Sequence, residues 1–346
     1  MKVERNGNNS CDITCPICKS FSNKIYEDFP SYVENMFYDI YICNNCETQF
    51  IIKKNTLNDL KKLYDVIYQT ENLPGYERYK RYAKIIKKIS KPLKFLSEQE
   101  FAYHAVYEYL NKTPIKPLKV LEIGSGLGYL TYALNKSNIE TLGIDISKES
   151  TNYAKKQFGD HYLNGSIEDL ITDKPKFDLI IATELIEHVI DPISFINNCL
   201  CLLNSHGTIL LTTSNYFIKS QIWGTDLPPI HRFWFSKKSF DVMAKDFHLQ
   251  LEFIDSSDFY PKNSNMLINT LLQMYFRYFR RNDTPLSIFS EDLTPLTKRS
   301  HTFYTFRAVA RKMVLTFPIR NLSNQFFKLM GRAEPTSIAV ILNKIH

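Results

Sequence analysis

The chain has 346 residues, enough to bury a sizeable core without covalent staples, so a disulfide scaffold is not needed to hold it together. Its formal charge of +7 is regional: residues 261–337 carry twelve Lys or Arg against four Asp or Glu, which leaves the rest near neutral and excludes a chain that is basic throughout. No apolar run follows the charged start Met1-Lys2-Val3-Glu4-Arg5, and none later reaches the ~18–20 residues of a membrane span, so a cytoplasmic protein is expected.

In a reducing compartment, seven cysteines read as metal ligands, nucleophiles or core residues. Cys15-Pro16-Ile17-Cys18 and Cys43-Asn44-Asn45-Cys46 form two Cys-x-x-Cys knuckles separated by 24 residues. Together they supply the four thiolates of a closed, tetrahedral structural zinc site, with Cys11 to spare. Phe29, Tyr32, Phe37, Tyr38 and Tyr41 are the expected small core of this module, residues 1–52, to which zinc would contribute the folding free energy. Between the knuckles, Lys19 and Lys24 face Glu27, Asp28, Glu34 and Asp39, a balance that argues against a nucleic-acid partner.

Residues 53–111 are rich in Lys, Tyr and Leu, and Leu60, Leu63, Tyr64, Ile67 and Tyr68 fit one helical face, which predicts connecting helices. From Pro117 short apolar runs alternate with amphipathic segments. Strands are expected at 119–123, 140–145, 161–164, 177–183, 208–213, 249–255 and 337–343, with helices near 127–137, 147–158, 191–203 and 236–246. The pattern predicts an α/β fold, a Rossmann-like doubly wound seven-stranded sheet of parallel strands over residues 112–346, with a helical insertion at about 260–336. Cys199 and Cys201, in the apolar stretch Phe195–Leu203, are expected in the core.

Val120-Leu121-Glu122-Ile123-Gly124-Ser125-Gly126-Leu127-Gly128 runs a hydrophobic strand directly into three alternate glycines. Such a loop lets backbone approach a ligand, and the helix that follows aims its free N–H groups back at it. Asp145, ending the second strand, is placed to accept hydrogen bonds from both hydroxyls of a ribose.

The Gly-x-Gly-x-Gly spacing behind Glu122 differs from the dinucleotide fingerprint and resembles that of the class I S-adenosylmethionine-dependent methyltransferases. The likeness extends over about 230 residues, to Gly165-Ser166-Ile167-Glu168-Asp169-Leu170 and to Phe177-Asp178-Leu179-Ile180-Ile181-Ala182-Thr183-Glu184. It implies S-adenosylmethionine as cofactor, with Glu122 before the loop and Gly124, Gly126 and Gly128 along the methionine moiety. It further implies Asp145 on the ribose, Ile146, Ile167 and Glu168 near the adenine, and Thr183 closing the fourth strand. Ser166 departs from the family, which usually has an acidic residue there.

Two histidines follow strands, where reacting groups gather in open α/β sheets. His188, in Glu184-Leu185-Ile186-Glu187-His188-Val189-Ile190-Asp191-Pro192, lies in a segment resembling that of the quinone-biosynthesis and small-molecule branches. His231, in Trp223-Gly224-Thr225-Asp226-Leu227-Pro228-Pro229-Ile230-His231-Arg232-Phe233-Trp234-Phe235-Ser236, resembles the Pro-Pro-x-His loop of methyltransferases encoded with polysaccharide biosynthesis. One of the two is expected to be the general base. The zinc module beside a methyltransferase domain resembles sugar-modifying enzymes, so O-methylation of a sugar, nucleotide sugar or surface glycan is the expected activity. Methylation of a quinone-type or lipid phenol, or of RNA, is the alternative.

Met266–Arg281 places Leu267, Leu271, Met274, Tyr275 and Tyr278 near one face beside Arg277, Arg280 and Arg281. This face is either core with a solvated rim or a peripheral contact with an inner membrane surface or a lipid-linked acceptor.

Overall fold

A computed structural model describes residues 13–52, 56–70, 76–113, 119–171, 176–215, 226–255, 259, 287–296 and 337–345. Met266–Arg281 of the expected helical insertion, residues 223–225 of the second histidine segment, and Cys11 lie outside them. Strands β1 (Ser22–Pro30), β2 (Phe37–Cys43) and β3 (Gln49–Ile51) form an antiparallel meander. Four helices follow: α1 (Leu57–Gln69), α2 (Glu77–Ile85), α3 (Pro92–Ser97) and α4 (Phe101–Lys112). A capping box opens α1, in which the Thr56 hydroxyl accepts from Asp59 N and the Asp59 carboxylate accepts from Thr56 N. Its buried residues, Leu60, Leu63 and Ile67, fall on the face that the sequence spacing predicts.

Next come β4 (Lys119–Ile123), α5 (Tyr129–Lys136), β5 (Glu140–Asp145), α6 (Lys148–Phe158), β6 (Tyr162–Asn164), α7 (Ile167–Ile171), β7 (Phe177–Thr183), α8 (Pro192–Leu202) and β8 (Leu203–Ser214). The described chain closes with β9 (Phe233–Trp234), α9 (Lys237–Asp246), β10 (Leu249–Phe253) and β11 (Ser337–Lys344). Seven strands pair in the order β10-β11-β8-β7-β4-β5-β6. The expectation of an all-parallel sheet is corrected at one strand, because β11 runs antiparallel to both β8 and β10. Antiparallel neighbours need no crossover to the far edge, so the chain that leaves β10 can re-enter beside it.

The central strands bury both faces, which is why they read as continuous apolar runs. Alternate residues divide between two cores. Val120, Leu179, Ile181 and Leu210 meet Val106, Leu110, Leu130 and Leu134 on one side. Leu121, Ile180, Ala182, Ile209 and Leu211 meet Phe195, Ile196, Cys199, Phe240 and Met243 on the other. Cys199 is buried there as expected. Cys201 is exposed, since two residues further along α8 the helix has turned away from the face that carries Phe195, Ile196, Cys199 and Leu202.

The N-terminal meander is not a separate sheet. The short strand β9, almost two hundred residues later in the chain, pairs with β3 in the register Gln49↔Trp234 and Phe50↔Phe233 and completes a sheet of order β1-β2-β3-β9. Tyr38 and Tyr41 are buried in the expected way, but Phe37 is 48% exposed at the start of β2. Tyr32 packs instead with Leu63, Ile67, Leu227, Ile230 and Phe289, tying the meander to α1 and to the second histidine segment.

Candidate functional site

The carboxyl ends of β4, β5, β7 and β8 open onto a cavity of about 620 Å3. Among the sequence-predicted residues, Glu122, Gly124, Gly126, Asp145, Ile146, Ile167, Glu168, Thr183, His188 and His231 all line it. Gly128 does not. It starts α5 at φ +80°, and a Cβ there would stand 2.6 Å from both Ala154 Cβ and Tyr162 Cε1. The Tyr162 hydroxyl donates to its carbonyl at 2.7 Å, so this glycine lets α5 pack against α6 and β6.

Gly126, at φ +50°, faces the cavity, and a Cβ on it would lie 2.9 Å from Tyr68 Oη. Its N–H donates to Asp145 Oδ2 at 2.8 Å, while Asp145 Oδ1 accepts from Ser147 N at 2.8 Å and Ser150 Oγ at 3.1 Å. One carboxylate thus fixes the glycine loop to the first turn of α6, which Ser147 caps. Burial raises the Asp145 pKa, and the Ser147 and Gly126 amides oppose the rise. Glu122 sits deeper, accepting a hydrogen bond from Thr131 Oγ1, and burial pushes it from its ordinary 4.5 up to about 8. These features fit a bound nucleoside with an amino-acid tail: backbone brought close by glycine, a carboxylate at a strand end able to accept from hydroxyls, and apolar Ile146 and Ile167 beside it.

Several lining residues were not singled out from sequence. Tyr64 and Tyr68 from α1, with Tyr76, Arg78 and Tyr79 around the start of α2, also line the cavity. Arg78 Nε pairs with Glu100 Oε1 at 3.0 Å, and its Nη2 donates to Tyr79 Oη at 2.6 Å. The signal was present in the tyrosine-rich helical face, but nothing in its spacing says that the face bends over a glycine loop sixty residues away. Asp65 of α1 reinforces that approach by accepting from Ser147 Oγ at 2.6 Å.

At the other end the two histidines meet, with ring centroids 4.4 Å apart. His188 Nδ1 donates to the carbonyl of Ile230 at 2.8 Å, which leaves the lone pair of the neutral ring on Nε2, 3.9 Å from Glu187 Oε1. Burial lowers the His188 pKa from 6.5, against the raising influence of the Ile230 carbonyl and of Glu184 and Asp226. His231 Nε2 lies 4.0 Å from Glu187 Oε1 and 3.8 Å from Asp226 Oδ1. Glu187 is therefore the hub between the segment of His188 and that of His231. Ligand atoms of Glu187, His188 and His231 all lie within 4.8 Å of one another, a set that could hold a cation.

A second such set, away from the cavity, is Cys15, Cys18, Cys43 and Cys46, whose sulfurs also lie within 4.8 Å of one another. Cys15 Sγ to Cys46 Sγ is 3.6 Å and Cys18 Sγ to Cys43 Sγ is 3.3 Å. A disulfide would need ~2.05 Å. A zinc–thiolate tetrahedron with bonds of ~2.3 Å has edges of about 3.8 Å, which these separations approach. The Ile17 amide points at Cys15 Sγ, and the Asn45 and Cys46 amides at Cys43 Sγ, donors that favour thiolates. The cluster fits the expected four-cysteine zinc site. Among the described residues no helix is long and apolar enough to cross a membrane.

Comparison with known proteins places this site. A family model described as a methyltransferase domain matches residues 78–252. A ubiquinone biosynthesis O-methyltransferase of Actinobacillus pleuropneumoniae is 34% identical over 112 residues, 30% of this chain and 48% of that protein. One from Coxiella burnetii is 34% identical over 114 residues, 32% of this chain and 49% of that protein. The chain thus spans about half the length of the curated relatives it matches. Among solved structures, a SAM-dependent methyltransferase from Archaeoglobus fulgidus aligns with 73% of this chain and 94% of its own at 13% identity and a TM-score of 0.42. The family match runs from α2 through β10 and takes in the glycine loop, Asp145 and both histidines, so the chain belongs to the methyltransferase-domain family, in its class I, S-adenosylmethionine-dependent form.

Proposed function

We propose that the chain transfers a methyl group from S-adenosylmethionine to a hydroxyl oxygen at the histidine end of the cavity. The observation that carries this reading is that two imidazoles and two carboxylates converge, at 3.8–4.0 Å, on a cavity whose other end is the glycine loop. When bound, S-adenosylmethionine supplies the methyl group on a sulfonium sulfur, the C–S bond breaking as the hydroxyl oxygen forms the new C–O bond. The chain's own task is to align the acceptor and remove its proton. His188, neutral and with Nε2 as its open nitrogen, takes that proton, and Glu187 beside it stabilises the imidazolium that results. His231, between Asp226 and Glu187, orients the acceptor.

A phenolic ring of quinone type is the acceptor we favour. The names of the relatives support it, and the wall of Tyr64, Tyr68, Tyr76 and Tyr79 offers flat faces to such a ring. A sugar, nucleotide-sugar or glycan acceptor rests on two resemblances, that of the Pro228-Pro229-Ile230-His231 loop and that of a four-cysteine module beside a methyltransferase domain. Turnover at saturating cofactor in His188→Ala and His231→Ala variants tests the proton-transfer assignment, and near-normal rates in both would overturn it. We also assign structural zinc to the four cysteines, and retain the division into residues 1–52, 53–111 and 112–346. Any peripheral membrane contact is placed at 266–281.

A second reading has its own observation. The Glu187, His188 and His231 ligand atoms are clustered, and the other ring nitrogen of His188 is held by a backbone carbonyl, as metal-bound imidazoles are. A divalent cation there would give Lewis-acid help in deprotonating the hydroxyl, and His188 would be a ligand instead of the base. Turnover that is lost to a chelator and restored by magnesium or manganese, while the cysteine-bound zinc is retained, would favour it.

A further inference from the structure

The segment that carries His231 is held from two sides. On the cavity side, Arg232 N and Phe233 N donate to the carbonyl of Glu187 at 2.9 and 3.2 Å, and the carbonyl of Ile230 accepts a hydrogen bond from His188 Nδ1. On the other side, β9 pairs with β3, Ile51 N donates to the Arg232 carbonyl at 3.0 Å, and Tyr32 N donates to the Pro228 carbonyl at 2.7 Å. The path from β9 to the cysteines is short and polar. The Cys46 carbonyl accepts from both Ser236 Oγ and Ser239 Oγ at 3.2 Å. Thr48 Oγ1 donates to Ser239 Oγ at 2.8 Å and lies 3.1 Å from Cys46 Sγ. All of these groups are buried. A strand of two residues has little order of its own, so the order of β9 is set by what it pairs with.

We propose that the four-cysteine module is a positioning element for the acceptor end of the cavity. A cation held by Cys15, Cys18, Cys43 and Cys46 fixes the turn from Cys43 to Phe50. Through β3, β9 and the Cys46 carbonyl, that turn fixes residues 227–234 and with them the ring of His231. The cofactor end, built on β4, β5 and α6, shares apolar packing with the cysteine module through Leu121, Ile123 and Ile144 but none of these hydrogen bonds. The inference rests on the reading of His188 and His231 as the acceptor site, but the structural coupling can be measured without any acceptor.

The test is amide hydrogen exchange on the full chain, followed by mass spectrometry, with zinc bound and after its removal by a chelator under reducing conditions. Bound zinc is counted by native mass spectrometry. Zinc loss is expected to speed exchange in 227–236 about tenfold or more, while 119–146 and the affinity for S-adenosylmethionine change less than about twofold. Because stripping can unfold a chain, Ser239→Ala provides an independent arm. It keeps all four cysteines and the zinc, yet should speed exchange in 227–236 about threefold. Unchanged protection of 227–236 without zinc would overturn the proposal. So would equal acceleration in 119–146, zinc-free protein with full protection, or a Ser239→Ala variant indistinguishable from the parent. If the exchange result holds while His188→Ala and His231→Ala both transfer methyl normally, the acceptor reading fails and the coupling stands.

Discussion

At the glycine end of the cavity the sheet side is backbone and short polar side chains from two adjoining strand ends, with Tyr68 of α1 laid over it; at the histidine end the reacting groups are longer side chains carried by segments far apart in the chain. Gly126, Asp145, Ser147 and Ser150 lie within 25 residues of one another and are locked by hydrogen bonds of 2.8–3.1 Å. His188, Glu187, His231, Asp226 and Tyr64 come from three segments, and the 226–231 segment is held in place partly by the N-terminal meander. A ligand common to a whole family can be read by backbone, which any sequence supplies once glycine permits the approach. An acceptor particular to one enzyme has to be read by side chains, and these can be exchanged without disturbing the sheet.

Five substitutions and a pH series sharpen this contrast, beginning where the effect is largest. Asp145→Ala removes the carboxylate that anchors the Gly126 and Ser147 amides and that we propose reads the ribose, so affinity for S-adenosylmethionine should fall about a thousandfold, ~4 kcal/mol, by calorimetry. Acceptor-end variants should leave that affinity within about twofold if the two ends are independent. The pH series concerns Glu122, raised by burial from 4.5 to about 8. Between those values the folded state binds a proton that the unfolded state has released, so stability should fall as pH rises through that window. Below pH 4.5 both states are protonated and the effect vanishes. The drop should be several kcal/mol in urea titrations, and Glu122→Gln should flatten it.

His188→Ala should lower kcat about a hundredfold, ~2.7 kcal/mol, with little change in cofactor binding. Gly128→Ala should cost about 2 kcal/mol of stability, because the new Cβ meets Ala154 and Tyr162 at a positive φ, in a place outside the cavity. Smallest of all, Cys201→Ser on the exposed face of α8 should leave stability within about 0.5 kcal/mol and zinc content unchanged.

The same contrast explains what could be read in advance. Strands β4, β5 and β7 fall on the predicted residues, since their apolar runs end in glycine or in acidic and polar punctuation that marks a buried parallel strand. The glycine loop and Asp145 could be read together because strand, loop and helix follow one another directly. Glu187 stood beside His188 in the sequence, yet its place between two histidines depends on β9 reaching β3, a pairing of two residues that leaves no periodic trace. The tyrosines of α1 and α2 were legible as a helical face but not as a cavity wall, because the partner of that face is the distant glycine loop. Phe37 shows the opposite case: an aromatic in a small module need not be core when the sheet's buried side faces elsewhere.

The central claim is that a hydroxyl at the histidine end receives the methyl group. Its most direct test is transfer of label from S-adenosylmethionine, with the intact chain, into two sets of candidate acceptors: dihydroxylated phenols of quinone type, and nucleotide sugars. The account predicts a labelled methyl ether in the phenol set, lost in His188→Ala although that variant still binds cofactor. Label on the nucleotide sugars would move the acceptor class while keeping the site. Label on carbon or nitrogen, or ether formation undiminished in both His188→Ala and His231→Ala, would contradict it.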